Sequence, residues 1–270
     1  MTRKRIKNVL FKEWRLLFTD LNSGLLVTLL PLLIILQGIL YIWLASKFGG
    51  DTMLTMTVFQ TALAKITQAM PGIARLPGNE QLLVLLLSQF NFFLLLIPTM
   101  VAINAATFSI VDEKLTGSLE ALLATPVRTW ELLVGKALAG AIPALVITWI
   151  SAGFFLLVTL LLGWGHLFGF VVNATWFLNL FLVTTAVAML SFILGVIGSS
   201  RAKDAKSAQN VVLVIIFPVM ALIGIQVTGI VWFTPLLTIA LGVGIGIIDA
   251  LTLRLAVSLF QRESILVQWR

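Results

Sequence analysis

The chain has 270 residues, of which 60% are hydrophobic and only 11% are charged, and its net charge is +7. Soluble domains carry about a quarter of their residues as charged side chains, so this composition excludes a soluble enzyme, a disordered tail and a nucleic-acid-binding protein, and indicates a polytopic membrane protein. The absence of Cys excludes disulfides and Cys-based metal sites, and the single His excludes a cluster of several His ligands.

The first predicted element is an amphipathic, basic helix at about residues 4–21. Its apolar positions recur at helical spacing near one face: Ile6, Leu10, Trp14, Leu17 and Leu21. Most of its Lys and Arg lie away from that face, as in helices that lie flat on an anionic membrane surface. We predict an amino-terminal interfacial helix; the alternative is a basic tail that only sets the topology.

Six stretches are long and apolar enough to cross a membrane, which takes about 20 residues. They are 25–45, 82–108, 137–163, 176–198, 210–229 and 236–257. Pro218 interrupts the fifth stretch, so a continuous span, a broken helix and a re-entrant segment all stay open there. We expect no cleavable signal peptide, because the apolar run that starts near Leu25 is too long for a signal core.

The distribution of positive charge predicts the orientation. Fifteen of the 18 Lys and Arg fall in the amino-terminal segment, the loops 112–136 and 199–209, and the carboxyl end. The positive-inside rule makes that side cytoplasmic, so we expect both termini on the cytoplasmic side of the cell membrane. The loop 46–81 then lies outside, with Pro-Gly turns and a short amphipathic helix at 53–70. We expect one transmembrane domain over 1–270.

The cytoplasmic loop 112–136 carries the most specific pattern. Leu115, Leu119, Leu122 and Leu123 have helical spacing, and Pro126 ends the helix near Ala124. A second helix can begin at Thr129 and continue into the third span. A short stiff helix between two spans suits docking into a groove of a cytoplasmic protein, and a solvated loop helix without a partner is the alternative.

This loop resembles the signature of the permeases of ABC-2 type transporters, which has an acidic start, a Gly-Thr/Ser-Leu-Glu core, a Leu pair, a Pro and a Gly-Lys. The matching residues are Glu113, Gly117, Ser118, Leu119, Glu120, Leu122, Leu123, Thr125, Pro126, Glu131, Gly135 and Lys136. Ser118 replaces the frequent Thr and keeps the hydroxyl. The family layout of a basic interfacial helix, six spans and both ends inside also covers the whole chain.

The resemblance implies an all-α transmembrane domain of the ABC-2, type V exporter-like class. It implies that two permease subunits pair, as a homodimer or a heterodimer, and that each docks a separate ATPase. The helix at Gly117–Ala124 would be the coupling helix, with Glu113, Gly117, Ser118, Leu119, Glu120, Leu122, Leu123 and Pro126 as coupling residues. ATP and Mg would be bound by the partner ATPase, and this chain would bind no cofactor.

The ATPase itself is not encoded in the chain. A phosphate-binding loop needs Gly-x4-Gly-Lys-Ser/Thr. Gly135-Lys136 is followed by Ala137, and position 130 is Trp. No catalytic constellation is evident, so we expect this chain not to be an enzyme.

Polar residues within the predicted spans are candidates either for a translocation path or for hydrogen bonds between helices. They are Gln37, Asn91, Asn104, Asn179 and Gln226. Asp249 is the one acid within a predicted span, and a charge there is a functional candidate. Arg254 follows nearby, so a boundary ion pair between the two is the second interpretation.

Two other classes of function remain. A secondary transporter or channel without an ATPase would favour paired intramembrane acids, broken helices or inverted repeats. The third class is an intramembrane enzyme or a non-transporting membrane anchor, and the absence of a cluster of His, Asp and Glu at membrane depth argues against the enzyme. The leading prediction is the permease subunit of an ATP-binding cassette exporter, in contact with membrane lipid, an ATPase subunit and a second permease, with no nucleic acid bound. The sequence does not indicate a substrate.

Overall fold

The computed structural model describes residues 2–19, 21–115, 129–201, 216–226, 228 and 230–259. Every regular element in these ranges is helical, in agreement with the predicted all-α class. The α-helices in these ranges are α1 (Thr2–Thr19), α2 (Leu21–Leu44), α3 (Gly50–Thr55), α4 (Thr57–Ala69), α5 (Gly78–Phe93), α6 (Leu96–Leu115), α7 (Thr129–Leu161), α8 (Phe168–Val171), α9 (Ala174–Leu178), α10 (Thr184–Arg201), α11 (Ile216–Gln226) and α12 (Pro235–Leu259). Short π-helical turns continue α2 through Ala45–Gly49 and join α9 to α10 through Asn179–Val183.

Five helical stretches are long and apolar enough to cross a membrane. They are span 1 (Thr28–Gly49), span 2 (Gly78–Ala106), span 3 (Trp130–Leu161), span 4 (Ala174–Ser199) and span 6 (Pro235–Leu259). The remaining predicted stretch, 210–229, coincides with the short apolar helix α11. Residues 202–215 lie outside the described residues, so five of the six predicted spans are supported and span 5 remains a prediction.

Span 2 forms the centre of the molecule and contains a break. The two helices α5 and α6 meet at Leu94 and Leu95, where the amide of Leu95 bonds to the carbonyl of Phe92 rather than to that of Asn91. Pro98 stands in the first turn of α6 and has no N–H to offer to the carbonyl of Leu94. The backbone is therefore rewired at this point, and the carbonyl of Asn91 is left for another donor.

Span 4 packs along span 2 because small residues let the two helices approach closely. A Cβ added to Gly195 would lie 2.8 Å from the Cβ of Ala106 and 3.5 Å from the Cα of Ile103. Close packing of this kind replaces the hydrophobic effect as the force between helices in lipid. Gly242 serves the same purpose between span 6 and Leu182, whereas Gly246, the other glycine of its Gly-x3-Gly pair, meets nothing within 4 Å.

Spans 1 and 6 lie at the edge of the described structure. Only 28% of the apolar window of span 1 and 17% of that of span 6 are buried, against 78% for span 2. Large side chains such as Leu33, Tyr41, Leu236 and Leu251 are more than half exposed. In a membrane these faces suit lipid or a second subunit.

The connections predicted outside the membrane meet at one end of the molecule. A Glu80 carboxylate oxygen lies 3.4 Å from His166 Nε2, and Lys65 Nζ donates to the carbonyl of Ile230 at 2.6 Å. The predicted short helix at 53–70 is present as α4, with Ala62, Leu63 and Ile66 buried. The predicted topology of these three connections, which requires them to share one side, is therefore consistent with the fold.

Candidate functional site

The predicted coupling residues are only partly covered by the structure. Gly117, Ser118, Leu119, Glu120, Leu122, Leu123 and Pro126 lie outside the described residues, and for Glu113 only the backbone is described. The helices on both sides are described: α6 ends at Leu115 and α7 begins at Thr129, where the sequence predicted a helix start. The segment 116–128 therefore joins two helices that run directly into spans 2 and 3.

The helix that follows this segment is continuous with span 3. The prediction placed the start of span 3 at residue 137, but α7 is one helix from Thr129 to Leu161. Glu131 lies in its first turn and is 2% exposed, and a carboxylate at this end interacts favourably with the helix dipole. A push on the first turn of α7 would pass along this helix as far as Pro143, which has no N–H to offer to the carbonyl of Ala139.

A buried ion pair fixes α1 to the second turn of α7. Lys136 is 1% exposed, and its Nζ lies 3.2 Å from a carboxylate oxygen of Glu13 in α1, whose side chain is 9% exposed. Two charges removed from water in this way are stable only as a pair with good geometry. The ion pair therefore constrains where the amino-terminal helix sits relative to span 3.

A second contact joins the same helices. The Trp14 indole Nε1–H donates to the Ala139 carbonyl at 2.9 Å. Lys7, Asn8, Lys12 and Arg15 are exposed and Leu10 and Trp14 are partly buried, which agrees with the predicted faces at these positions, while the location of α1 at a membrane surface stays a prediction. Glu13 was not predicted as a functional residue, although the sequence places it between Leu10 and Leu17 on the apolar face of the helix. An acid on an apolar stripe signals a buried partner.

The polar residues predicted within spans divide into two groups. Asn91, Asn179 and Gln226 come together where spans 2 and 4 meet α11. Gln37 and Asn104 do not join them. The Asn104 amide donates to the carbonyl of Met100 within its own helix.

The cluster forms because two backbone carbonyls are left free by helix irregularities. Asn179 Nδ2 donates at 2.9 Å to the carbonyl of Asn91, which the break in span 2 releases. Gln89 Nε2 donates at 2.9 Å to the carbonyl of Gln226 at the carboxyl end of α11, where helix carbonyls lack intrahelical partners. Span 2 is thus tied to span 4 and to α11 by amide side chains.

Gln89, Ser88 and Trp176 belong to this polar cluster but were not predicted. Ser88 and Gln89 stand next to Asn91 in the sequence, and this run of polar residues in span 2 was the available signal. Trp176 is buried, at 5% exposed, in contact with the cluster rather than at an open boundary. Its tertiary environment could not be inferred from its place near a span end.

Gln37 lines a separate and larger cavity of about 420 Å³ between spans 1 and 2. Its amide donates to the hydroxyl of Tyr41 at 3.1 Å, and the rest of the wall is mostly apolar, including Gly38 and Phe90. A Cβ on Gly38 would overlap the Phe90 ring, so this glycine is required for the contact between the two spans. The cavity has the size and lining of sites that hold small apolar molecules.

Comparison with known proteins identifies a family. The family model for ABC-2 family transporter proteins matches residues 7–263, which is almost the whole chain. The chain belongs to the ABC-2 transporter family. No curated protein and no solved structure matches it. It is therefore a multi-pass membrane protein and a membrane permease of ABC-type transport.

In this ABC-2 permease Asp249 and Arg254 do not form the ion pair proposed from the sequence. Asp249 Oδ1 is buried and accepts no hydrogen bond from the described residues, while Arg254 is exposed. Residues three or four apart share a helix face, but five residues turn the helix by about 140°, which separates the two side chains. The one acid of span 6 thus stays an isolated feature of the permease.

A metal centre is not formed by the acids and the His that the structure describes in the permease. No group of three His, Asp or Glu side chains converges among those residues. The α1–α7 junction can therefore transmit a displacement from one helix to the other. The polar cluster can form hydrogen bonds.

Proposed function

We propose that the chain is the permease subunit of an ATP-binding cassette exporter and works with a separate cytoplasmic ATPase. Membership of the ABC-2 family carries this proposal, together with the Gly-Ser-Leu-Glu pattern of the loop between spans 2 and 3. ATP would be bound and hydrolysed in the partner. For ATP to drive transport, its binding must favour one conformational state of the complex over the other.

The α1–α7 junction gives this coupling a structural route. The segment 116–128 lies directly before α7, and the Glu13–Lys136 pair binds α1 to the second turn of that helix. A displacement of the coupling segment would therefore move span 3 and α1 together. Since α1 is followed at once by α2, span 1 would be drawn along. Glu113, Leu119, Glu120 and Leu123 would provide the contact with the ATPase.

The exposed faces of spans 1 and 6 support a complex with two permease chains. These faces are too apolar for water, and lipid or a second permease would cover them. Asn91, Asn179 and Gln226 supply hydrogen-bonding groups inside each chain, near the outer connections, where a translocation path can pass. Both termini and the segment 116–128 would then lie in the cytoplasm, as the positive-inside rule requires.

Co-purification tests the ATPase partnership. The tagged chain, extracted from the membranes of its own cells, is compared with Leu119→Asp/Leu123→Asp after photolabelling with 8-azido-ATP. We expect a labelled P-loop ATPase with the wild type and none with the variant. A control with Leu236→Asp, an exposed position at the opposite end, should keep the ATPase. If wild type and variant both lack an ATPase that the membrane contains, the chain is a stand-alone carrier or channel.

A further inference from the structure

The polar cluster lines a small, partly open cavity that the translocation proposal does not explain. The cavity measures about 30 Å³ and is bounded by residues of span 2, span 4 and α11, and by Met70 and Trp232 from the outer connections. Asn91 is 4% exposed, Trp176 is 5% exposed and Gln226 is 2% exposed. These residues therefore meet inside the protein rather than at a surface.

Four polar atoms of the cavity wall have no hydrogen-bond partner among the described residues. They are Ser88 Oγ, Asn91 Oδ1, Trp176 Nε1 and Gln226 Oε1. Buried polar groups in native proteins are almost always paired with protein or with ordered water, and the need is greater within a membrane, where bulk water is absent. Four such side chains along one cavity favour a ligand there that forms hydrogen bonds.

The chemistry of the four atoms specifies that ligand. The indole N–H of Trp176 only donates, whereas the amide oxygens of Asn91 and Gln226 only accept, and the Ser88 hydroxyl does both. A metal cation cannot accept from the indole, and an anion cannot donate to the amide oxygens. Water does both, and it needs about 10–15 Å³ of such volume and two to four polar partners.

We infer that this cavity is a binding site for one or two ordered water molecules that join Ser88, Asn91, Trp176 and Gln226. Water bound there completes the hydrogen bonds of spans 2 and 4 to α11. The direct bond from Gln89 to the carbonyl of Gln226 holds the end of α11 on one side of this site. The outer end of α11 is thus held by one direct hydrogen bond and a water bridge. Such bonds break and re-form more readily than apolar contacts separate.

Indole proton spectroscopy tests the site without requiring a substrate or an ATPase, so its result is independent of the proposed transport function. The full chain is labelled with ¹⁵N at the indole nitrogen of its eight tryptophans, reconstituted in nanodiscs, and assigned through Trp176→Phe and Trp149→Phe. We expect a direct cross-relaxation peak between water and the Trp176 indole proton. Trp149, which donates to the carbonyl of Leu180 at 3.3 Å, is the matched control and should give none.

Two further measurements test whether water or a cation occupies the site. Gln226→Met, nearly equal in volume, and Asn91→Leu should each weaken or abolish the Trp176 water peak, because each removes one acceptor of the bridge. A Trp176 proton without a water peak in the wild type overturns the inference. A peak position that changes when sodium and potassium are replaced by N-methylglucamine indicates a cation site and also overturns it.

Discussion

At the residue scale, Lys136 depends on its surroundings because its buried ammonium lies beside a carboxylate from another helix. Replacing Glu13 by Gln removes the carboxylate that lies 3.2 Å from Lys136 Nζ, where the Lys136 side chain is 1% exposed. We expect the free energy of unfolding to fall by about 3–5 kcal/mol, as for other buried pairs broken on one side. Denaturant titration of the purified chain in micelles measures it.

The exposed pair between Glu80 and His166 is the matched control for that variant. The side chains are 33% and 54% exposed, so Glu80→Gln should change stability by less than about 1 kcal/mol. Replacing both buried partners together, as Glu13→Leu/Lys136→Met, should recover most of the loss, since no charge is then stranded. Equal losses for Glu13→Gln and Glu80→Gln would contradict the account of the buried pair.

Trp14 contributes a separate, smaller stabilisation to the same junction. Trp14→Phe removes the N–H that donates to the Ala139 carbonyl and keeps most of the ring. We expect a loss of about 1 kcal/mol, the usual net value of such a bond. Trp130→Phe, at a position that is 40% exposed, serves as the comparison in the same unfolding assay. A larger loss at Trp130 would show that ring contacts, not the hydrogen bond, dominate.

At the scale of elements, the contact of span 4 with span 2 depends on Gly195. Its added Cβ would lie 2.8 Å from that of Ala106, which is fixed to the backbone and cannot swing away. Gly195→Ala should therefore lower the free energy of unfolding by about 1–3 kcal/mol, although Ala favours helix more than Gly does. Gly244→Ala, with nothing within 4 Å, should cause no loss. The same micelle titration compares the two, and an unchanged Gly195 variant would refute the close packing.

The elements themselves were largely predictable from sequence because each depends on a local pattern. Apolar runs of about 20 residues predicted five supported spans, and the Pro-Gly pairs and helical spacing predicted α4. The break in span 2 was not predicted, although Pro98 lies in the interior of the predicted stretch 82–108, because membrane helices tolerate proline. The helix start at Thr129 was predicted, but span 3 was placed from residue 137, because Glu131 and Lys136 look like solvated residues until their burial is known.

The candidate site was predictable only in part, since it depends on contacts between distant segments. Asn91, Asn179 and Gln226 were singled out one by one, but no local pattern indicated that they meet. Glu13 and Lys136 are separated by 123 positions, and only the fold pairs them. The proposed pairing of Asp249 with Arg254 failed for the opposite reason: nearness in sequence was taken for nearness in space, and helix geometry separates the two residues.

At the scale of the whole molecule, the α1–α7 junction lies at one end of the helices and the polar cluster lies near the other. Span 2 is the element common to both ends, because α6 ends at the coupling segment and α5 carries Gln89 and Asn91. We therefore expect a displacement of the coupling segment to change the geometry of the polar cluster. The indole proton of Trp176 is a reporter of that movement, and its resonance should shift when ATP is added to a complex with the ATPase.

The most direct test of the central claim is the location of the segment 116–128 in the working complex. The chain has no cysteine, so Ser118→Cys introduces a unique thiol, and Thr57→Cys at the opposite end is its control. We expect Cys at 118 to react with a membrane-impermeant maleimide only from the cytoplasmic side, and to cross-link to the ATPase through a short bifunctional reagent. Cys at 57 should react from outside and form no such link. Labelling of position 118 from outside, or an ATPase cross-link at 57 and not at 118, would contradict the account.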